Sequence, residues 1–488
     1  MTNSNLNVLE KTESKTERKQ KAAVLVEPET TLASRLVFFV LSAAIVLTTL
    51  LYGAVHPPVI ALFWASAALI VVLWAADALR GGALRLNRSL LQIPLAGAAI
   101  FGIIQVMPFG SADTAGVSAI SRTISFDSYS TLIAVIQFVV LLIYLAATLA
   151  FVDSSKRLRF LVYFITIFGF VFAFFAIIQN LLDPGRIYGV YERPYMQPFG
   201  SFVNKHNFAA FIEMAIALPL GLLFTGAVEK EKRLLYLTAV GLMGVALTMS
   251  GSRGGLVALI AEIVFLIAIA TKTHTTRDVA LKVALAGVLL ATIIGGTILI
   301  GGDSTLTRIA ETAASKDPTS SRLQIWDTSW KVIQQSPILG SGFGAFGTAY
   351  TQFDPLNGRE RVEQAHNDYL QIVADAGIIG VVLGAFFVFV LFRDGFRRLK
   401  SKDNFRRGVA VGALAGCFAI LVHSLFDFVL HTSAISLLFL VLAALATLNG
   451  QVESEGAAER KNKRRKASVV PIESKRKQKE LNESSGTA

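Results

Sequence analysis

Cysteine is almost absent from this sequence. Cys417 stands alone, which rules out an intramolecular disulfide. Charge is scarce too. Charged residues make up 16% of the 488, while 53% are hydrophobic; ordinary soluble domains carry about 25% charge. The apolar residues fall in unbroken blocks and lack the alternation that the strands of an outer-membrane barrel require. Each block approaches the ~20 residues that cross about 30 Å of hydrocarbon as a helix. These features exclude a soluble fold and a membrane barrel, and predict an all-α polytopic membrane protein. No A-x-A cleavage site follows the first apolar run, and the polar segment before it is too long and too mixed in charge for a signal peptide. That run is expected to be a retained anchor. No internal repeat is evident.

A net charge of +12 invites a nucleic-acid reading, but the basic residues gather in the tails and in alternate loops. They cluster at Lys11 to Lys21, Arg80/Arg85/Arg88, Lys156 to Arg159, Lys230 to Arg233, Arg393 to Arg407 and Arg460 to Lys479. This is the pattern that sets membrane topology and meets anionic lipid, so no nucleic-acid partner is expected. Twelve spans are predicted near 33–55, 57–79, 89–107, 130–151, 159–182, 207–227, 234–250, 255–271, 280–301, 367–392, 408–429 and 432–449. An even count with basic tails puts both termini in the cytoplasm. The domain plan is a disordered cytoplasmic tail over 1–32, a transmembrane domain over 33–449 and a basic disordered tail over 451–488. The closely spaced pairs 234–250/255–271 and 408–429/432–449 each allow a single long helix instead.

The longest polar interruption, 302–366, lies between the ninth and tenth spans, on the outer side of this topology. A connection of that length is usually functional. Within it, Leu323, Trp326, Trp330 and Ile333 recur at helical spacing, predicting a short helix that begins at Arg322 and ends before Pro337. Gly342 to Gly347 reads G-x-G-x-x-G, but no βαβ unit surrounds it. A tight turn or close backbone approach explains these glycines better than a dinucleotide site. His366 stands where the loop re-enters the membrane, followed by Asn367 and Asp368. A histidine there can take a proton from a hydroxyl or serve only as a hydrogen-bonding residue.

Two other outer connections carry polar motifs. Ser250-Gly251-Ser252-Arg253-Gly254-Gly255 places an arginine at a membrane margin, where it faces a polar cavity or an anion or else snorkels to headgroups. Asn204, Lys205 and Asn207 open a predicted helix, which suits phosphate or sugar hydroxyls, or an ordinary helix cap. His423, Asp427 and His431 are spaced by four and would share one face of a continuing helix. That spacing fits a metal, and it fits better a buried hydrogen-bond network between helices.

Taken in order, these pieces resemble the O-antigen ligase and O-antigen polymerase superfamily of bacterial inner-membrane proteins. The resemblance runs from Phe199 to His431 through G-S-F-x-N-x-x-N (200–207), S-x-S-R-G-G (250–255), S-R-L-x-I-W with S-P-I-L-G-S-G-F-G (321–344), H-N-D-Y-L with A-G-I-I-G (366–380) and H-S-L-F-D (423–427). It implies a fold like that of the C-type glycosyltransferases, no metal or other cofactor, and a donor glycan carried on undecaprenyl pyrophosphate. The family's two functional arginines and its histidine map onto Arg253, Arg322 and His366. Between the asparagines, Lys205-His206 departs from the family's more common proline-containing pattern.

The chemistry of these residues agrees. Breaking an anomeric C–O bond to release a lipid pyrophosphate develops negative charge, which an arginine's fixed cation and planar donors stabilise. The expected activity is inverting transfer of the lipid-linked glycan to a glycan or glycolipid acceptor at the periplasmic face of the inner membrane, by a ligase or a polymerase. Arg253 and Arg322 would bind pyrophosphate, His366 would act on the acceptor hydroxyl, and Asn204, Lys205, Asn207, Asn367 and Asp368 would contact substrate. A protein O-oligosaccharyltransferase, a transporter or channel for small anions and a non-catalytic scaffold remain alternatives. The transporter reading lacks the inverted repeats common in that class. The scaffold reading gives no reason for two arginines and a histidine around one outer cavity.

Overall fold

A computed structural model describes residues 31–448, apart from 115–116, 193–196 and most of 271–321. The chain is an all-α polytopic membrane protein. Its helices are α1 (Leu32–Leu50), α2 (Pro57–Gly81), α3 (Gln92–Val106), α4 (Ser128–Phe151), α5 (Ser155–Leu182), α6 (Lys205–Phe224), α7 (Arg233–Met249) and α8 (Arg253–Ala270). After the long loop come α9 (Arg322–Gln335), α10 (Phe346–Tyr350), α11 (Asp368–Arg398), α12 (Asn404–His423) and α13 (Ser433–Thr447). Among the described residues, nine helices are long and apolar enough to cross a membrane. The helices predicted near 89–107 and 432–449 are present but shorter, at 15 residues each, or roughly 22 Å. Only scattered residues of the span predicted at 280–301 are described, from Ala280 to Leu299, and these are helical. The tails fall outside the described residues except for Thr31 and Leu32. Both closely spaced pairs are separate helices.

Local chemistry explains where the helices begin. Thr31, Asp127, Ser154, Asn204, Asn367 and Asp403 each accept a backbone N–H from the first turn of the helix that follows, satisfying donors with no partner inside the helix. Pro57 opens α2, where its missing N–H costs nothing. The sequence gives no warning of the short hairpin between α3 and α4. It pairs β1 (Ser111–Thr114) with β2 (Val117–Ser121) in antiparallel register, Ser111 opposite Ser121.

The centre of the bundle is the α6–α12 pair. Every residue from Asn207 to Leu222 is buried, as is most of α12. Gly408, Gly412 and Gly416 recur every fourth residue along α12 and let its backbone close on α6. A Cβ on Gly412 would lie 2.4 Å from the Ala217 carbonyl oxygen, and one on Gly221 would lie 2.4 Å from the Gly412 nitrogen. Small residues at this spacing are how helices approach in lipid, where no hydrophobic force drives them together.

The two ends of the bundle differ. At one end, Arg85 bridges Asp77 and Asp153 at 2.8 and 2.7 Å. There Arg406 donates to the carbonyls of Leu445 and Leu448 closing α13, and Arg407 donates to Thr225 at the end of α6. Cations at helix C-termini satisfy the last carbonyls and oppose the helix dipole. The other end carries the long loop. There α11 leaves helical dihedrals at Gly377 (φ 56°, ψ −148°), and the segment Ser336–Gly344 packs into the break. Pro337 accepts from the Ile378 N–H, while the N–H groups of Ser341 and Gly342 reach Ala374 and Asp375. Gln105 of α3 clamps the same segment, donating to Leu339 and Asp375 and accepting from the Phe343 N–H. A Cβ on Gly340 would sit 2.3 Å from the Ala376 nitrogen, so these glycines serve close backbone approach.

Gly412→Val is expected to overpack the α6–α12 contact and cost at least about 1–3 kcal/mol. Gly241→Val, at a helical position with nothing within 4 Å, is the control. Melting temperatures of the purified variants in detergent check this: the first should fall by several degrees and the second by much less.

Candidate functional site

The turn after α12 carries Asp427, whose side chain is only 2% exposed. Three residues from distant parts of the chain meet it. Arg322, first residue of α9, donates from Nη2 to Oδ2 at 3.3 Å. His366 Nδ1 lies 3.2 Å from Oδ1. His206, in the first turn of α6, brings Nε2 to 3.6 Å from Oδ2. The Phe428 N–H adds a bond of 2.9 Å to Oδ1. Burial opposes the charge on this carboxylate. The hydrogen bond from His366, with the charges of His206, His366 and Arg322, outweighs that and holds Asp427 well below the usual carboxylate range.

Each partner is fixed from behind. His366 adopts φ +50°, a left-handed conformation that is strained for a histidine. Neighbouring contacts hold it there. Trp326 Nε1 donates to the Ala365 carbonyl at 3.0 Å, and the Ala365 N–H donates to Gln371 at 2.7 Å. Arg322 and Trp326 lie on the same short helix, so α9 positions both the arginine and the segment bearing the histidine. The buried face of α9 is Thr328, Ser329, Val332 and Ile333, while Leu323 and Trp330 are exposed. The apolar stripe predicted from sequence is thus divided, with Ile333 packed inward and Leu323 and Trp330 facing outward. His206 Nδ1 meets Ser252 Oγ at 2.8 Å, and Ser252 Oγ also accepts from the Gly255 N–H. Arg253 follows directly, with its side chain exposed. The structure thus unites Arg322 and His366 on one carboxylate and sets the Arg253 backbone one residue from a side chain of the same network.

The other predicted residues take different positions. Asn204 and Asn367 use their side-chain oxygens as helix caps. Lys205 Nζ bonds Gln197, and Asn207 is buried. Both Asp368 oxygens are engaged within the chain. Ser424 Oγ and the Leu430 N–H reach Oδ2, at 2.7 and 3.2 Å, and His431 Nδ1 lies 2.9 Å from Oδ1. Asp368 thereby pins the turn that presents Asp427. Burial works against a charge on His431, but Asp368, joined by Asp375, prevails and raises its pKa.

The shared face expected for His423, Asp427 and His431 does not form, because α12 stops at His423. Each holds a separate partner instead: His423 Nδ1 is 3.0 Å from Glu213, with both side chains fully buried. A Cβ on Gly254 would come within 3.0 Å of the His423 ring, and one on Gly255 within 2.9 Å of Glu213. The double glycine after Arg253 lets α8 begin against α6 and α12. The sequence did not single out His206 and Ser252 as network members, since their link crosses 46 positions.

A depressed carboxylate pKa fixes the sign of a pH effect. Asp427 is charged in the folded state at pH values where an unfolded aspartate, with pKa near 3.9, is already protonated. It therefore contributes stability above about pH 4, and that contribution is lost on acidification. Melting temperatures measured from pH 7 to pH 3 should show wild type well above Asp427→Asn at neutral pH, with the gap closing as pH falls.

Two comparisons with known proteins bear on identity. Residues 238–385 match the family model described as O-antigen ligase, a stretch that includes Arg253, Arg322 and His366. No curated protein matches the chain. The ordered motifs and the helical membrane fold agree with that match, and the chain is similar to the O-antigen ligase family over residues 238–385.

Proposed function

We propose that this protein transfers a glycan from undecaprenyl pyrophosphate to the hydroxyl of an acceptor saccharide, with inversion, at the periplasmic face of a bacterial inner membrane. The observation that carries this reading is the meeting of Arg322 and His366 on buried Asp427. With Nδ1 donating to Asp427, the lone pair of His366 lies on Nε2, which has no hydrogen-bond partner among the described residues. The carboxylate sets the tautomer and supports the imidazolium that forms. As the acceptor oxygen bonds to the anomeric carbon, its proton passes to His366 Nε2. The anomeric C–O bond to phosphate breaks and lipid pyrophosphate leaves.

Charge on that leaving group needs donors. Arg322 commits only Nη2 to Asp427 among the described residues, which leaves most of its five N–H groups for phosphate oxygens. Arg253, at the N-terminus of α8, is the second phosphate ligand, where the helix dipole also favours an anion. Cations supplied by the chain stabilise the developing charge, so this reading calls on no metal or cofactor. The arginine-rich opposite end of the bundle supports a cytoplasmic placement for that end and for both termini.

Purified protein, an undecaprenyl-pyrophosphate oligosaccharide, and either core lipid A or a second lipid-linked repeat as acceptor test the reading. A protein acceptor and an anion-uptake assay in vesicles address the alternatives. Arg322→Ala should lower the transfer rate by roughly 10²–10³ and His366→Ala by roughly 10²–10⁴, at unchanged protein level. Full activity in both variants refutes the assignment.

A further inference from the structure

At the same end of the bundle, two connections bring four aromatic side chains together. Tyr52 and His56 come from the α1–α2 connection, and Tyr188 and Tyr191 from the segment after α5. The Tyr52 ring lies 5.3 Å from His56, 5.9 Å from Tyr188 and 5.0 Å from Tyr191, and His56 is 5.4 Å from Tyr191. We propose that this cluster is a carbohydrate subsite that takes a pyranose ring of the glycan chain beyond the reacting sugar. The proposal rests on the glycan-transfer reading given above.

Backbone strain is the first support. Among the described residues, five non-glycine positions have positive φ: Tyr52 (60°), Ala54 (55°), Tyr188 (57°), Asn357 and His366. Two of the five, Tyr52 and Tyr188, belong to this cluster, Ala54 lies between Tyr52 and His56, and a fourth is the proposed base. Bulky residues in the left-handed region persist only where the surroundings overdetermine them, and such positions gather at functional sites. The surroundings here do overdetermine them. The Tyr188 N–H donates to Gln179 at 3.0 Å, its hydroxyl bonds the Leu50 carbonyl, and Ser201 Oγ donates to the Thr49 carbonyl at 2.6 Å.

Placement is the second. Gly53, between the two strained residues, lies against Phe202 and Thr432; a Cβ there would come within 2.8 and 3.2 Å of them. Thr432 follows His431, and Phe202 sits just ahead of Asn204 and His206. One ring, Phe428, separates His431 from His366, with centroid distances of 6.5 and 4.9 Å. A continuous path therefore leads from the Asp427 network through Phe428, His431 and Thr432 to Tyr52.

The chemistry of the cluster suits a sugar better than an anion. Arg186 is paired with Glu192 at 3.1 Å and also feels Asp183, so its charge is already matched within the chain. A pyranose offers a face of C–H groups, which pack against the electron-rich face of an aromatic ring, and a rim of hydroxyls. Tyrosine meets both. The Tyr191 hydroxyl is buried without a hydrogen-bond partner among the described residues, and a sugar hydroxyl would satisfy it. Tyr188 is 41% exposed, leaving its ring accessible.

The test measures KM with full-length protein in nanodiscs, using donors of increasing glycan length and, separately, acceptors of increasing length. In wild type, KM should fall as one series lengthens. Tyr52→Leu should abolish that dependence, raising KM for the long substrate about 3- to 10-fold, the worth of one aromatic contact. Tyr191→Phe, which keeps the ring and the fold, should show a smaller rise. Loss of the dependence in the donor series assigns the subsite to the donor glycan, and in the acceptor series to the acceptor. If both variants keep the length dependence and only melt earlier, the cluster is an interfacial anchor and the proposal is overturned. If wild type transfers nothing to any acceptor, the glycan-transfer reading fails instead. Saturation-transfer NMR with the free oligosaccharide then decides the subsite, which stands if Tyr52→Leu abolishes binding and falls if wild type shows none.

Discussion

A carboxylate removed from water must be matched by partners of opposite charge or by donors, and Asp427 recruits them from across the chain. Breaking a buried pair by removing one partner typically costs about 3–5 kcal/mol, because the charge left behind is uncompensated. Arg322 from α9, His366 from the entry to α11 and His206 from α6 are thereby held to a single point. Through Ser252, the start of α8 is tied to the same point. One buried negative charge thus orders four segments separated by as many as 221 positions, from His206 to Asp427. The guanidinium of Arg322 and the imidazoles of His366 and His206 are thus fixed around one carboxylate by contacts within the chain.

The lower parts of the molecule make that order possible. In α6 and α12, glycine rather than bulk provides the fit, bringing two backbones close enough that Glu213 and His423 meet in a fully buried pair beneath the site. Such a pair is costly in hydrocarbon and persists where neighbouring groups offset the desolvation. At the opposite end, arginines hold helix termini through backbone carbonyls. The same residue type therefore serves two purposes, holding helix ends at one end and pairing with buried Asp427 at the other.

Much of this was legible in the sequence because lipid imposes a simple rule. Apolar blocks of spanning length appear as helices wherever they fall within the described residues, and Asn204 caps α6, one of the two roles its motif allows. Arg322, His366 and Arg253 stand out because charge or imidazole at a membrane margin needs a reason. Asp427 was less legible. Its four-residue spacing from His423 and His431 suggested a continuing helix, whereas the helix ends and each residue turns to a different partner. Asp368 resembled a substrate ligand because it adjoins His366, yet its oxygens brace the turn that carries Asp427. Contacts that span two hundred positions leave no periodic trace in a single chain, and neither does the choice of which α9 side chains turn inward.

The departure of α11 from helical dihedrals at Gly377 also separates two environments. From Ile378 onward, α11 carries exposed apolar side chains such as Val382 and Phe389, which suit a lipid surround. The stretch from Asp368 to Ala376 instead takes its direction from the wedge at Ser336–Gly344 and the clamp of Gln105. His366, just ahead of that stretch, is held from inside the protein, to Asp427 directly and through the bonds of Ala365 to Trp326 and Gln371. Its position is set by three segments at once, so a shift of any one of them is opposed by the other two.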